Sequence, residues 1–580
     1  MRFTGFGKSE LSGNFMAAPT RVELRDAIRW LAEIIGPDAG YLRLAAVYGI
    51  AIGLLSLATP ISVQLLINSV AYTALPAQLW TLAGLLFTLL FVVAMLSALR
   101  VYVMTLFERR LFARIVAEIT IRAVHARDPF FGDARRADLF NRFFDLTVVQ
   151  KSVPSLLIGG FTIVLQSAVG LAVTSFYHPF FLAFNVVLLL ALLVIWLLWS
   201  RGSMTSAVAL SHAKHDTARW LESVGSSNGF YKSSRHVGFA MDRSEAMTAN
   251  YIAKHKGYFR YSFAQTLAFF TLYATASAAL LALGGNLILA GELTIGQLVG
   301  AELILSGVFY GVSQLGWYLD SFYDLVASCE ELSLLYGIAQ EKLPLPSTQG
   351  PRDGAISLRD VKLGETHLNF SLNAGERLVT VPEPGVERTL SMLLKRHVAP
   401  EHGLVTVGGS DLGGLNMYLL RSEVIVLDRP TIVEVTIREY LNLAVSGLTS
   451  ASLLDAVEAV GLSERIASLP DGLDTPLASS GWPLTVGEVM ELKLANALLA
   501  CPKVLVLAPV FDVMPPAQLF GVLERLKAAG TTVLQCTSRP GSFALDGWLW
   551  LGKQEQIRFA SAAELQAHVK EREAARALSS

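Results

Sequence analysis

The sequence predicts an all-α domain of six membrane-spanning helices followed by an α/β domain of the P-loop-NTPase kind. Three observations carry the prediction. Mostly apolar runs lie near 44–68, 77–104, 155–177, 179–200, 265–290 and 294–320, each long enough to cross a bilayer as a helix. Long segments rich in Lys and Arg alternate with short links that contain neither. Beyond residue 354 the pattern changes to short apolar strands separated by helical stretches, as in a parallel α/β sheet. The composition agrees: 53% hydrophobic residues, 16% charged and a mean hydropathy of +0.47 exclude an ordinary soluble enzyme.

Residues 1–36 form a cytoplasmic lead-in. Within them, 22–35 alternates charge and bulk at helical spacing, which predicts an amphipathic elbow helix in the interface plane. No cleavable signal peptide is expected, since the chain opens polar and its first apolar run is too long. Residues 37–335 form the six-span domain. The segment 109–151 carries Arg109, Arg110, Arg114, Arg122, Arg127, Arg135, Arg136, Arg142 and Lys151, and 201–260 carries Lys214, Arg219, Lys232, Arg235 and Arg243. The links near 69–76, 175–178 and 291–293 have no Lys or Arg. The positive-inside rule therefore places both long segments and both termini in the cytoplasm. Each long segment is helical in pattern, so the spans are expected to continue into the cytoplasm. They end in turns at Asp128-Pro-Phe-Phe-Gly132 and Ser226-Ser-Asn-Gly-Phe230, which are expected to touch a nucleotide-binding domain. Gln64, Asn68 and Gln166 are the polar groups of interest within the spans, with packing as their default role. Arg100, Asp320 and Asp324 fall toward the inner ends. Cys329, Cys501 and Cys536 are widely spaced and read as free thiols.

Residues 336–354 read as a linker, 355–565 as the α/β domain and 566–580 as a polar tail with helix propensity. Strands are expected at 356–359, 367–372, 377–381, 504–507 and 532–535, and a helix at 517–528. The third strand runs into Pro382-Glu-Pro-Gly385-Val-Glu387-Arg388-Thr389, set against the phosphate-loop pattern G-x-x-x-x-G-K-[S/T]. A phosphate cradle needs glycines whose backbone N–H groups converge on the anion. Proline removes such donors, and Glu387 places negative charge beside the phosphates. Gly385 and Thr389 survive.

The order of elements over about residues 20–565 resembles the half-transporter of the ABC exporter superfamily, most nearly its type I protein and peptide secretion branch. Gly284-Gly-Asn-Leu-Ile-Leu-Ala-Gly291-Glu-Leu-Thr-Ile-Gly296-Gln-Leu298 is similar to the passage between fifth and sixth spans in that branch. Gly375-Glu376, Thr436-Ile-Arg-Glu439 and Gly472-Leu-Asp-Thr-Pro476 are similar to segments around the phosphate loop, after the Q-loop and before the signature. No peptidase-like domain is expected ahead of the spans.

The resemblance implies that nearly every catalytic position is altered. Pro382, Glu387 and Arg388 stand for two glycines and the lysine, while Thr389 keeps a hydroxyl for magnesium. Asp428 occupies the Q-loop glutamine position, and the aromatic that stacks on adenine is missing from 361–365. The signature reads Leu484-Thr485-Val486-Gly487-Glu488, with Val486 blocking a backbone approach and Glu488 repelling the γ-phosphate. Ala508 and Pro509 replace the magnesium-binding aspartate and the catalytic glutamate. Ser538 stands where the switch histidine belongs, and the D-loop reads Asp512-Val-Met-Pro515. Asp411, Glu423 and Glu434 read as solvated surface.

These replacements imply a catalytically inactive, exporter-type subunit with no catalytic residue, no metal site and no required cofactor, though weak Mg-ATP binding stays open. It would be a multi-pass protein of a bacterial-type inner membrane, acting in transport or in assembly of a secretion-like complex. Expected partners are the bilayer, a second half as homodimer or heterodimer, and secretion-system accessory proteins, with no nucleic acid. The alternatives are a non-transporting membrane scaffold or regulator, and an ATP-driven exporter with unconventional site residues.

Overall fold

The computed structural model describes residues 22–56, 58–72, 76–127, 137–292, 295–341, 348–542 and 545–579. The chain divides into two compact units at residues 341 and 342. The expected turn at Asp128–Gly132 and the side chains of Gln64 and Asn68 lie outside the described residues.

The first unit is helical. Helix α1 (Leu24–Ile35) starts at a reciprocal cap between Glu23 and Asp26 and buries Ala27, Trp30, Ile34 and Ile35, the face that its spacing predicted. Helices α2 (Ala39–Leu55) and α3 (Ala58–Tyr72) share the first apolar run, and α4 (Pro76–Val124) carries the second. A 3-10 segment (Ala137–Asp145) leads into α5 (Leu146–Ser155), a π turn (Leu156–Gly160) and α6 (Phe161–Ser175). Pro154, which has no N–H to give a regular ladder, lies two residues before the π turn. The ring of Tyr318 lies where a Cβ at Gly159 would stand, so that glycine permits the close approach. Helices α7 (Pro179–Ser226), α8 (Ser234–Leu289) and α9 (Ile295–Tyr336) complete the unit.

Among the described residues, six helical stretches are long and apolar enough to cross a membrane. At 1.5 Å per residue α8 extends about 84 Å, far beyond a hydrocarbon core of about 30 Å. The expectation that the spans continue well past the bilayer is met. Large apolar side chains face outward along them, with Phe87 71%, Leu198 65% and Val187 65% exposed. Such a surface suits lipid and would drive aggregation in water.

Several buried charges of this unit are held by specific partners. Asp38, fully buried, accepts from Arg110 Nε at 2.9 Å and Arg114 Nε at 2.8 Å, tying the turn between α1 and α2 to α4. Arg100 is 4% exposed, and its Nη1 donates to Thr162 Oγ1 of α6 at 2.5 Å. Between α7 and α8, Phe230 stacks on His236 at 4.1 Å and Trp220 donates to Ser244 Oγ at 2.8 Å, which closes the Ser226–Phe230 turn as a small aromatic knot.

The second unit contains two sheets. Strands β1 (Ile356–Leu363), β2 (Thr366–Leu372), β4 (His402–Val407) and β5 (Ser410–Asp411) form an antiparallel sheet in the order β2-β1-β4-β5. The main sheet adds β3 (Arg377–Pro382), β6 (Val424–Leu427), β7 (Val504–Leu507), β8 (Thr532–Cys536), β9 (Gly547–Leu551) and β10 (Gln556–Phe559), in the order β10-β9-β3-β8-β7-β6. Its β9-β3-β8-β7-β6 portion is parallel, and only β10 is antiparallel. β7 and β8 are buried along their whole length, as their unbroken apolar runs predict.

Helices α10 (Val386–Leu394), α11 (Met417–Glu423), α12 (Ile437–Asn442), α13 (Ser450–Ala459), α14 (Ser463–Ala467), α15 (Val486–Ala500), α16 (Pro516–Ala528) and α17 (Ala562–Ser579) complete the unit. The residues around α12–α15 bury a core that is continuous with β6, β7, β8 and α16. A single helix, α17, runs through residue 565, where the sequence reading ended the domain. Leu565 is fully buried and His568 packs on Trp550 and Phe559, so its first turns belong to the sheet edge.

Candidate nucleotide site

The C-terminal ends of parallel strands β3, β7 and β8 define where a ligand sits in this architecture. Each end carries one of the altered sequences. After β3, Gly385 adopts φ 93°, a left-handed conformation that glycine takes without strain, and α10 begins at the next residue. The turn from strand to helix is therefore intact. Its donors are not. Pro382 and Pro384 have no N–H. Glu383 N–H donates to Leu551 O at 2.9 Å and Val386 N–H to Glu383 O at 3.0 Å. The Glu383 carboxylate turns away from the loop and accepts Lys553 N–H at 2.6 Å. Thr389 Oγ1 donates back to Gly385 O at 3.1 Å within its helix. Arg388 is exposed, and one carboxylate oxygen of Glu387 is buried without a hydrogen-bond partner.

At the end of β7, Ala508 leads into a 3-10 turn (Pro509–Val513). Neither residue supplies an oxygen for magnesium or a base for water. The polar group in this region is Asp512, which the sequence reading treated only as part of the D-loop. Its carboxylate accepts Thr537 Oγ1 at 2.6 Å, Ser538 N–H at 2.8 Å and Ser538 Oγ at 2.7 Å. Ser538, at the switch position, is thus tied to the β7 side and is not directed at a ligand. Burial, then the Glu387 charge, then that of Asp512 push the Cys536 thiol well above its usual range. Two carboxylates therefore act on this buried thiol at the end of β8.

Asp428 follows β6, with Arg429 at 3.8 Å. Two lysines feel its charge. Burial pushes Lys395 down to about 8, with Arg421 adding to the fall and Asp428 opposing it. Burial also lowers Lys493, whose Nζ donates to Arg429 O at 2.5 Å. In the adenine region, Val361 is 1% exposed and belongs to the core.

Leu484, the first signature residue, is 6% exposed and lies in the core. Thr485 caps α15, and its N–H donates to Glu488 Oε2 at 2.7 Å while Glu488 N–H donates to Thr485 Oγ1 at 3.3 Å. Glu488 Oε1 also meets Arg465 Nε at 3.2 Å. The sequence reading set Glu488 against a phosphate; its carboxylate instead folds back as the acidic half of a capping box and is paired. Val486 is 56% exposed beside Gly487. Thr485→Ala is expected to cost about 1 kcal/mol, seen as faster hydrogen exchange in the first turn of α15.

The fold is of the ABC-exporter kind, long apolar helices followed by a sheet-containing domain. Among solved structures, that of a bacterial Atm1-family ABC exporter with ATP bound superposes at a TM-score of 0.76 and 19% identity, covering 91% of this chain and 97% of that one. In sequence, the chain is similar to the Toxin RTX-I translocation ATP-binding protein of Actinobacillus pleuropneumoniae, 28% identical over 241 residues, or 39% of this chain and 33% of the relative. It is also similar to the Leukotoxin translocation ATP-binding protein LktB of Mannheimia haemolytica, 24% identical over 435 residues, or 71% of this chain and 60% of the relative. The chain thus spans 33% to 60% of the length of these relatives. No family model matches it. The expected resemblance to ABC exporters of the type I secretion branch is borne out.

Proposed function

We propose that this chain is a multi-pass subunit of a bacterial inner-membrane export system whose nucleotide-binding domain does not hydrolyse ATP. It works as a dimer with a second copy or with a related half, both termini cytoplasmic, in the transport or assembly of a secretion-like complex. The observation that carries the reading is the loop after β3, with two prolines and two occupied N–H groups, together with Ala508 and Pro509 at the end of β7. The strand framework is complete while the groups that bind magnesium, activate water and neutralise phosphate are replaced. Energy for transport would come from a partner or from a substrate gradient.

The printed names of the relatives favour a second reading, since they are ATP-binding proteins of toxin translocation. With Gly385, Arg388 and Thr389 in place, the chain would then be an ATP-driven exporter with unconventional residues. Mg-ATP binding and turnover by the purified chain in lipid nanodiscs decide between the two. Background turnover, unchanged by Arg388→Ala and Thr389→Ala, supports the first; turnover that either substitution abolishes overturns it.

A further inference from the structure

The transport reading gives no role to a buried group of side chains between α7 and α9. His212 of α7 and Glu330 and Glu331 of α9 each bring a ligand atom into a set whose members all lie within 4.8 Å of one another. His212 Nε2 is 3.0 Å from Glu330 Oε2 and 3.9 Å from Glu331 Oε1, and the side chains of His212, Glu330 and Glu331 are 9%, 6% and 0% exposed. Glu331 divides its two oxygens. Oε2 pairs with Arg142, and Oε1 is buried with no hydrogen-bond partner. A buried carboxylate oxygen left without a donor is costly, and a cation in the gap relieves that cost.

Charge points the same way. Beside the group, Asp145 lies between His215 Nε2 at 2.5 Å and Lys214 Nζ at 2.6 Å. Arg142, Asp145, Glu330 and Glu331 are buried, one positive against three negative, while Lys214 is 47% exposed and largely solvated. The buried set thus holds two more acidic than basic side chains, and one divalent cation matches that difference.

We infer that His212, Glu330 and Glu331 form a divalent metal site, with zinc the ion of matching donor chemistry, that clips α7 to α9. An imidazole nitrogen with carboxylate oxygens is a zinc donor set, and ligands at about 2.0–2.1 Å in a tetrahedron stand about 3.4 Å apart. The separations of 3.0 and 3.9 Å bracket that value. Arg142 holds the far oxygen of Glu331 and turns the near one inward, the outer-sphere support that ligating carboxylates need. Water takes the fourth position. The clip joins two of the longest helices in the first unit, so the metal would set how far they separate.

The test uses the full-length chain without a histidine tag, in nanodiscs, stripped with EDTA and titrated with zinc chloride at neutral pH. Retained metal is counted by mass spectrometry after desalting, and cobalt(II) serves as a spectroscopic probe. About one equivalent of tightly held zinc is expected, with affinity reduced at least tenfold in His212→Gln and in Glu330→Gln, and unchanged in His402→Gln, an exposed histidine of β4. Should both ligand variants misfold, the unsubstituted protein still reports. Ligand-field bands of four-coordinate cobalt that added zinc erases support the site. No retained zinc and no such bands, or retention that survives both substitutions in folded protein, overturns it.

Discussion

Asp546→Ala is expected to destabilise the second unit by about 3 kcal/mol. Arg377 opens the central strand β3 with its side chain 4% exposed. Its guanidinium meets Asp546 through Nε at 3.3 Å and Nη2 at 3.2 Å, and reaches Glu524 through Nη1 at 2.6 Å. The backbones pair as well: Arg377 N–H donates to Asp546 Oδ2 at 3.1 Å and Asp546 N–H to Arg377 O at 3.0 Å. Removing the carboxylate leaves a buried guanidinium with only the half-exposed Glu524. Breaking such a pair costs more than the pair contributes, because one charge stays behind in a poorly solvated place. Hydrogen exchange of the full chain reads the effect, with β3 and β9 amides losing roughly hundredfold protection if they exchange through opening of this unit. Unchanged exchange would show that Glu524 alone suffices.

The same pair sets an acid limit. Burial alone would raise the Asp546 carboxyl, but hydrogen bonds from Arg377 and Lys527 outweigh it and hold the group at about 2. A carboxyl lowered by folding contributes stability that is present in full above its unfolded value and is lost as the pH falls through the folded one. The contribution of this pair is therefore intact at neutral pH and disappears between about pH 4 and pH 2. Asp546→Asn should flatten that part of the acid-unfolding profile.

The second large effect is an absence of turnover. ATPases of ordinary competence turn over at about 1–10³ per second. Loss of a positioned base costs about 10²–10⁴, and loss of one aimed electrostatic donor about 10²–10³. Such losses do not multiply freely when residues act as a unit, yet two of them already lower the rate by about 10⁴ or more. Restoring only the end of β7, with Ala508→Asp and Pro509→Glu together, is expected to leave hydrolysis at background. The phosphate loop would still lack the N–H groups of Pro382 and Pro384, and those of Glu383 and Val386 would remain bonded elsewhere. A rise with that pair alone would show that the loop still cradles phosphate.

Much of this was legible in the chain itself. Apolar length and the spacing of Lys and Arg specify the spans, because every backbone group inside a bilayer must be satisfied within a helix. Buried parallel strands announce themselves as unbroken apolar runs, so β7 and β8 were found nearly to the residue. The altered phosphate loop and the replacements at Ala508, Pro509 and Ser538 are statements about residue identity, and identity needs no coordinates. The α17 boundary was less visible, since a helix that docks through Leu565 and His568 looks polar for most of its length.

Sequence by itself thus determined the two-part architecture and the residue type at each position of the proposed site, since periodicity and residue type are local properties of the chain. Only the tertiary structure decided what the replacements do instead. Glu488 caps its own helix and pairs with Arg465, Asp512 gathers Thr537 and Ser538, and Glu383 anchors Lys553. His212, Glu330 and Glu331 meet across 118 positions of sequence. Partners so far apart along the chain share no local pattern, and a side chain's charge does not say where it points. Packing does, because burial leaves each polar atom only the few partners that the fold brings within reach.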